Sequence, residues 1–445
     1  MGPGYFGLNQ IMPEPFCKTS PPDELSLSFV DAVKSRQAET VDRLLTQNES
    51  LRANINEPWF SFDSPAVVSC KDSEATLKVL LKHGADINCR SQWWAGSFGV
   101  LDGASPEIAQ FLIERGAKLD IHSAAEQGKT ELVTDFLDAD EDLANARGGD
   151  GQTPLHTAST IEIINILLDH GADPSIRCLD HSATAAQYAV SDPQKCRHLV
   201  MRGSTPDIFM ACAIGDREML EKILAEDPEA ISSRVGSCPH TRPIDHRSHN
   251  HIYFWKLLSA ATPLDVAREF NHSHLHEAIY QRSPAAKQFL AACWDGNRAR
   301  AKSVIDSNPN VIETLNEIEK KELARAAWHG KLDSVRVMLE FGFDPHLPGD
   351  ENSTPLDRAS FHGFREVVEL LLEKDPNPPL EFKNSYGGTP LGACVHGAVH
   401  SWMQNTDHVG TARALLKAGA IANPDWIPLE AHPEMEKLLK EHFNS

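Results

Sequence analysis

The sequence predicts an all-α solenoid of about twelve stacked helix-turn-helix units, and three observations lead to that fold class. One phrase returns along the chain, as LKVLLKHGADIN at 77–88, AQFLIERGAKLD at 109–120 and INILLDHGADPS at 164–175. Its period is near 33 residues: Gly84 to Gly116 and Gly171 to Gly203 are each 32 apart, and Thr354-Pro355-Leu356 returns 35 residues later as Thr389-Pro390-Leu391. Self-similarity at such a period marks a repeat architecture. Within the units, apolar residues fall at helical spacing, as in Val335, Met338 and Leu339 or Val367, Leu370 and Leu371, which makes a stripe for packing against neighbours.

Each part of the phrase has a mechanical role. A Thr suits the N-cap of a short first helix, and Pro fits its first helical position, where no donor is lost. Gly84, Gly171 and Gly419 supply the left-handed residue that ends the second helix. Units are expected to begin near residues 26, 58, 91, 123, 151, 181, 208, 262, 286, 320, 354 and 389. Where Asp227-Pro228 or Asn308-Pro309 replaces Gly-Ala-Asp, the second helix is expected to run longer. The chain is expected to divide into an N-terminal extension, partly disordered, at 1–25, and an N-terminal half of repeats at 26–236. A His- and aromatic-rich insertion follows at 237–261, then a C-terminal half at 262–423 with a further insertion near 396–408, and a capping helix at 424–445.

Thr153-Pro154-Leu155-His156-Thr157-Ala158 matches the T-P-L-H-x-A signature of ankyrin repeats at every fixed position, and partial copies begin at Thr262, Thr354 and Thr389. The chain therefore resembles ankyrin-repeat proteins over most of its length. Its PWFSFDSP, RSQWWAGSFGVLD, LDHSATAAQYA and GGTPLGACVHGAVHSW segments make it look more narrowly like long bacterial single-chain members of that family. The resemblance implies the solenoid, with a concave face and hairpin tips available for recognition. It implies no catalytic residue.

Composition narrows the partner classes. With 42 Lys plus Arg against 63 Asp plus Glu, the formal net charge is −21, which repels phosphate backbones and anionic lipid and argues against nucleic acid and membrane surfaces. The nine cysteines are scattered and form no C-x-x-C pair, the usage of free thiols in a reducing compartment. No apolar stretch approaches 18 residues, so a cytoplasmic protein is expected. No phosphate-binding loop or dinucleotide fingerprint is present. Ala95-Gly96-Ser97-Phe98-Gly99 is no nucleophile elbow, because that motif needs a strand-to-helix turn.

Departures from the repeat rule point to candidate sites. Trp59, Phe62, Arg90, Trp93, Trp94 and Phe98 fall at hairpin tips of early repeats, where large rings can stack on a partner's anchor. Trp328, Phe361, His362, Tyr386, His396, His400 and Trp402 cluster in the late repeats, with His396 and His400 an i, i+4 pair. In the middle insertion Tyr253 and Trp255 read as apolar anchors, while His246, His249 and His251 are weak metal candidates whose spacing fits no zinc signature. Polar candidates are Asp63, Asp102, Asp180, His181, His329, Asp357 and Arg358; His156 reads as the structural histidine of its motif. The function expected is a scaffold that binds a protein or peptide partner, with no cofactor. The alternative is a pocket for a small polar molecule, formed by aromatic, His and Asp residues of early and late repeats, which extends to a non-metal enzyme of hydrolase, lyase or isomerase type.

Overall fold

The computed structural model describes residues 20–242, 247, 250–257, 260–403, 406–429 and 431–444. Among them the ordered elements are helices, as the repeat phrase predicts, and two isolated backbone bridges are the only extended pairings. None of these helices is long and apolar enough to cross a membrane. The chain forms two compact units that divide between Glu277 and Ala278.

Both units use one local grammar. Thr262, Thr354 and Thr389 cap the helices Pro263–Glu269, Pro355–Phe361 and Pro390–His400 through their hydroxyls, each with Pro in the first turn. Asp207 and Asp120 do the same for Ile208–Ile214 and Ile121–Glu126, satisfying an amide that the helix start leaves open. At the other end Gly84, Gly171 and Gly342 hold φ of 88°, 87° and 87°, and a Cβ there would meet nothing within 4 Å. The left-handed backbone, not crowding, is what calls for glycine. Where Asp-Pro or Asn-Pro replaces it, Arg217–Glu226 and Arg298–Ser307 run 10 residues, no longer than His408–Lys417 before Gly419, so the difference lies in the 3₁₀ turn that follows and not in helix length.

In the unit ending at Glu277 the early repeats bury Phe29, Val41, Leu45, Leu77, Leu80 and Leu112. The repeat near residue 91 departs from the expected pattern: its second helix is Pro106–Ile113, but residues 90–104 form turns instead of a first helix. Gly96, Gly99 and Gly103 fall in this stretch, with Gly96 and Gly103 at φ 131° and 72°, so the segment trades helical hydrogen bonds for a loop that buries Trp93, Val100 and Leu101. In the middle insertion Ile252 and Tyr253 are buried, and the Tyr253 hydroxyl donates to Asp207 Oδ2 at 2.9 Å.

The unit from Ala278 onward has its own core, including Phe289, Leu323, Val335, Met338, Leu371, Leu415 and Leu439. Its last full repeat takes up much of the extra sequence by lengthening the first helix: Pro390–His400 has 11 residues where Pro355–Phe361 has 7. Gly397 lies against the preceding repeat, where a Cβ would land within the van der Waals shell of the Phe361 carbonyl oxygen. The helix Pro433–Phe443 closes the unit with Met435, Leu438 and Leu439 buried.

Gly397→Ala tests that packing. At an unobstructed helical site the change would add up to about 1 kcal/mol; here overpacking against the Phe361 carbonyl should instead cost about 1–3 kcal/mol. A urea midpoint that rises would show that the two helices are not in contact.

Candidate functional site

In the unit ending at Glu277, consecutive hairpin tips lock together through their backbones. Phe62 and Asp150 take left-handed conformations, with φ of 63° and 54°, which turn a carbonyl toward the next repeat. The Asp63 carbonyl accepts from Gln92 N at 2.9 Å, and the Asp150 carbonyl accepts from Leu179 N and Asp180 N at 2.9 and 3.1 Å. Side chains from different repeats are thereby held at fixed separations.

One group so assembled is aromatic. Phe62 meets Trp93 edge-on at 5.1 Å and Phe98 at 5.6 Å, and Trp93 meets Trp94 at 5.9 Å. Phe62 stays 39% exposed, while Trp94 and Phe98 are half-buried. Arg90 clamps the loop that carries Trp93, Trp94 and Phe98: its guanidinium donates to Ser97 Oγ at 3.0 Å, the Ser97 carbonyl at 2.9 Å and Asp120 Oδ2 at 3.0 Å, with Asp102 at 3.4 Å. Asp102 in turn accepts from Gly99 N at 2.6 Å. Arg90 and Asp102 therefore fix the loop's shape. Burial nevertheless raises the Asp102 carboxyl above its ordinary range, an effect that the Gly99 amide and Arg90 only partly offset.

Beside the aromatic group lie Asp150, Asp180 and His181, one donor atom of each within 4.8 Å of the others. Trp93 Nε1–H donates to Asp150 Oδ1 at 3.1 Å. His181 Nε2 is 3.7 Å from Asp180 Oδ2, and its Nδ1 is 2.9 Å from the Asn250 carbonyl oxygen. Burial, then the neighbouring charge of Asp180, pushes the Asp150 carboxyl up to about 6. Two carboxylates and an imidazole nitrogen in one sheltered place can hold a cation or share a proton. Asp180 and His181 are legible in the sequence as hairpin residues. Asp150 is not, and its one signal is the Gly148-Gly149-Asp150-Gly151 run, which marks a turn and hides a functional side chain.

In the unit from Ala278 onward, Trp328, Phe361 and His396 occupy the same place, seven residues beyond the N-cap, in three successive first helices. Their rings form a ladder. Trp328 stacks on Phe361 at 5.7 Å and 10°, Phe361 meets His396 at 6.1 Å, and His396 meets His400 at 4.3 Å. Trp402 closes on Trp328 and Phe361 at 6.0 Å each, and Arg358 lies over Trp328 at 4.7 Å. Trp328, Phe361 and Trp402 are half-buried, while His396 and His400 are exposed. Tyr386 stands at the neighbouring tip, 71% exposed. Asn384 there donates to both oxygens of Asp357 at 3.2 Å, so Asp357 is a buried tie between repeats.

Three expected recognition residues belong to the interior instead. Trp59 is buried among Phe29, Val68 and their neighbours, Tyr253 is fully buried on Asp207, and His362 is 0% exposed beneath Trp328 and Trp402. Trp93 is nearly buried and acts through its bond to Asp150. Trp255 is half-buried and packs on Phe254 and His181. His251 is no metal ligand: its two ring nitrogens meet Gln187 Oε1 and Tyr253 N, and burial pulls it down to about 3. His246 and His249 lie outside the described residues. His156 is structural, tied to Thr153 N and the Ala183 carbonyl at 3.0 Å each.

Comparison with known proteins agrees with this architecture. Family models described as ankyrin repeats match residues 121–210 and 323–372. Among curated proteins, the human transient receptor potential cation channel subfamily A member 1 is 24% identical over 407 residues, 77% of this chain and 36% of the channel. Ankyrin repeat and SOCS box protein 3 of Bos taurus is 26% identical over 170 residues, 31% of this chain and 30% of that protein. Ankyrin repeat and SAM domain-containing protein 6 of Rattus norvegicus is 30% identical over 92 residues, 20% of this chain and 10% of that protein. The chain thus spans about a third or less of these relatives' lengths.

His362 gives the late-repeat ladder a pH signature. It faces His329, His408 and Arg358, and burial, then those charges, pulls it down to about 3. From about pH 6.5 down to 3 the unfolded chain binds a proton that the folded chain refuses, so stability falls as pH falls, by about 1.4 kcal/mol per pH unit for this group. His362→Gln should flatten the pH 5–7 dependence of melting for this unit. An unchanged slope would show that His362 is not held neutral.

Proposed function

We propose that this ankyrin-repeat protein is an interaction scaffold that docks a protein or peptide partner on its first helices and hairpin tips, with the Trp328–Phe361–His396 ladder as the principal contact. The observation that supports this reading is the repetition of half-buried or exposed rings at one position of three successive repeats, 33 and 35 residues apart. The core does not need them there: Leu323, Ala327, Leu356, Ala359, Leu391 and Cys394 already seal the same helices. Rings that lose few rotamers on binding and offer both flat faces and polar edges are the side chains that anchor partners. Stacking holds them in place before a partner arrives, which lowers the ordering cost of binding.

The exposed Phe62, with half-buried Trp94 and Phe98, is a second contact of the same kind in the other unit. A net charge of −21 favours a partner surface that is neutral or basic over an acidic one. The position of this chain among proteins whose names carry ankyrin repeats beside other domains is consistent with a docking role.

The test compares the wild type with a Phe361→Ser, His396→Ala double variant by proximity labelling in the native host, with melting temperature as the folding control. Loss of specific partners from the variant at unchanged melting temperature is the expected result. Identical partner sets would remove the ladder from the interface.

A further inference from the structure

We propose that Asp150, Asp180 and His181 form a binding site for a single first-row divalent cation of the Mn²⁺-to-Zn²⁺ class, linking the tips of two successive repeats. The inference does not rest on the docking reading, since it concerns a sheltered polar cluster around the buried Asp180 and not the exposed rings.

The tautomer of His181 is the first support. Its Nδ1 lies 2.9 Å from the Asn250 carbonyl oxygen, and a carbonyl can only accept. One ring proton therefore sits on Nδ1, which leaves Nε2, 3.7 Å from Asp180 Oδ2, as the nitrogen that a cation can take. A ligating histidine oriented by a backbone carbonyl through its other nitrogen is the usual arrangement at metal sites. The second support is the outer shell of Asp150. Trp93 Nε1–H occupies Oδ1 at 3.1 Å, orienting the carboxylate and leaving Oδ2 to ligate. The third is the backbone: the Asp150 carbonyl takes the amides of Leu179 and Asp180 at 2.9 and 3.1 Å, so both carboxylate-bearing tips are fixed relative to each other before any ion arrives.

The surroundings strengthen the attraction. Asp180 has a side chain only 8% exposed, and the rings of Tyr188 and Trp255 lie 6.3 and 6.5 Å from the His181 ring. Charges act over a lower effective dielectric there than in water. The donor set decides the class of ion. Ca²⁺ takes six to eight oxygens and thiolate-loving ions need sulfur, whereas two carboxylates with one imidazole suit borderline first-row cations. Bond lengths of roughly 2.0–2.2 Å bring neighbouring donors to about 3 Å apart, so the three donors, now within 4.8 Å of one another, draw together through rotation about their χ angles. Three protein ligands leave further positions open to water or to a donor from another molecule.

The experiment titrates chelator-treated full-length protein with Mn²⁺ alone, followed by loss of the free-ion EPR signal, and then displaces the ion with Zn²⁺. One Mn²⁺ per chain is expected, released by Zn²⁺. Asp150→Asn keeps an acceptor for Trp93 and should weaken binding at least tenfold at unchanged melting temperature. His181→Ala should do the same, and a His396→Ala, His400→Ala double variant should bind as the wild type does. Absence of a bound ion overturns the proposal. So does binding that survives both Asp150→Asn and His181→Ala, or that disappears with the His396 and His400 pair, since either result marks an adventitious ion.

Discussion

Packing between adjacent repeats is the interaction on which everything else depends. Helices such as Pro154–Thr157 and Ala185–Tyr188 have four residues, far below the length at which a helix is stable alone in water. They persist because their buried residues, Leu155, Ala185 and Ala186 among them, close against the next unit, and because tip carbonyls are taken up by the amides of the following tip. Stability is then a sum of neighbour interfaces, and a local change such as a Cβ at Gly397 is felt first at one interface.

The same constraint explains where the candidate sites form. A position in one repeat always faces its equivalent in the next, so residues a period apart in sequence become neighbours in space. Trp328, Phe361 and His396 make a ladder by this rule alone, and Asp150 meets Asp180 because they sit on consecutive tips. Sites of this kind need no long-range convergence of the chain, and each of the two clusters is complete within its own unit.

How much was legible follows from what each signal reports. Caps, glycine turns and apolar stripes are local, so the repeats and their class could be read directly from T-P-L and G-A-D. Aromatic identity, by contrast, says nothing of depth. Trp59, Trp93, Tyr253 and His362 carry aromatic rings just as Trp94 and Phe361 do, yet they are buried, because a neighbouring repeat or the middle insertion covers them. The loop at 90–104 escaped the repeat pattern for a related reason: its second helix kept the apolar stripe while Gly96, Gly99 and Gly103 removed the first helix. His396 and His400 could be paired from spacing, since i and i+4 share a face, whereas repeat spacing brings the tips of Asp150 and Asp180 together without showing that the left-handed turn at Asp150 brings these two side chains to each other.

The glycines around Asp150 settle a remaining question, whether that tip is open and pliable or closely fitted. Glycine serves either purpose. A Cβ on Gly148 would come within 2.8 Å of the His122 ring, one on Gly149 would enter the ring of Phe98, and one on Gly151 would enter the side chain of Leu179. Three side chains from three different repeats thus press on the backbone beside Asp150, and only residues without side chains leave them room. Close fitting, not pliability, is what the glycines permit. It also accounts for the cost that the tip tolerates, a carboxylate in a left-handed backbone with its charge beside that of Asp180, since a loop free to relax would move Asp150 outward into water.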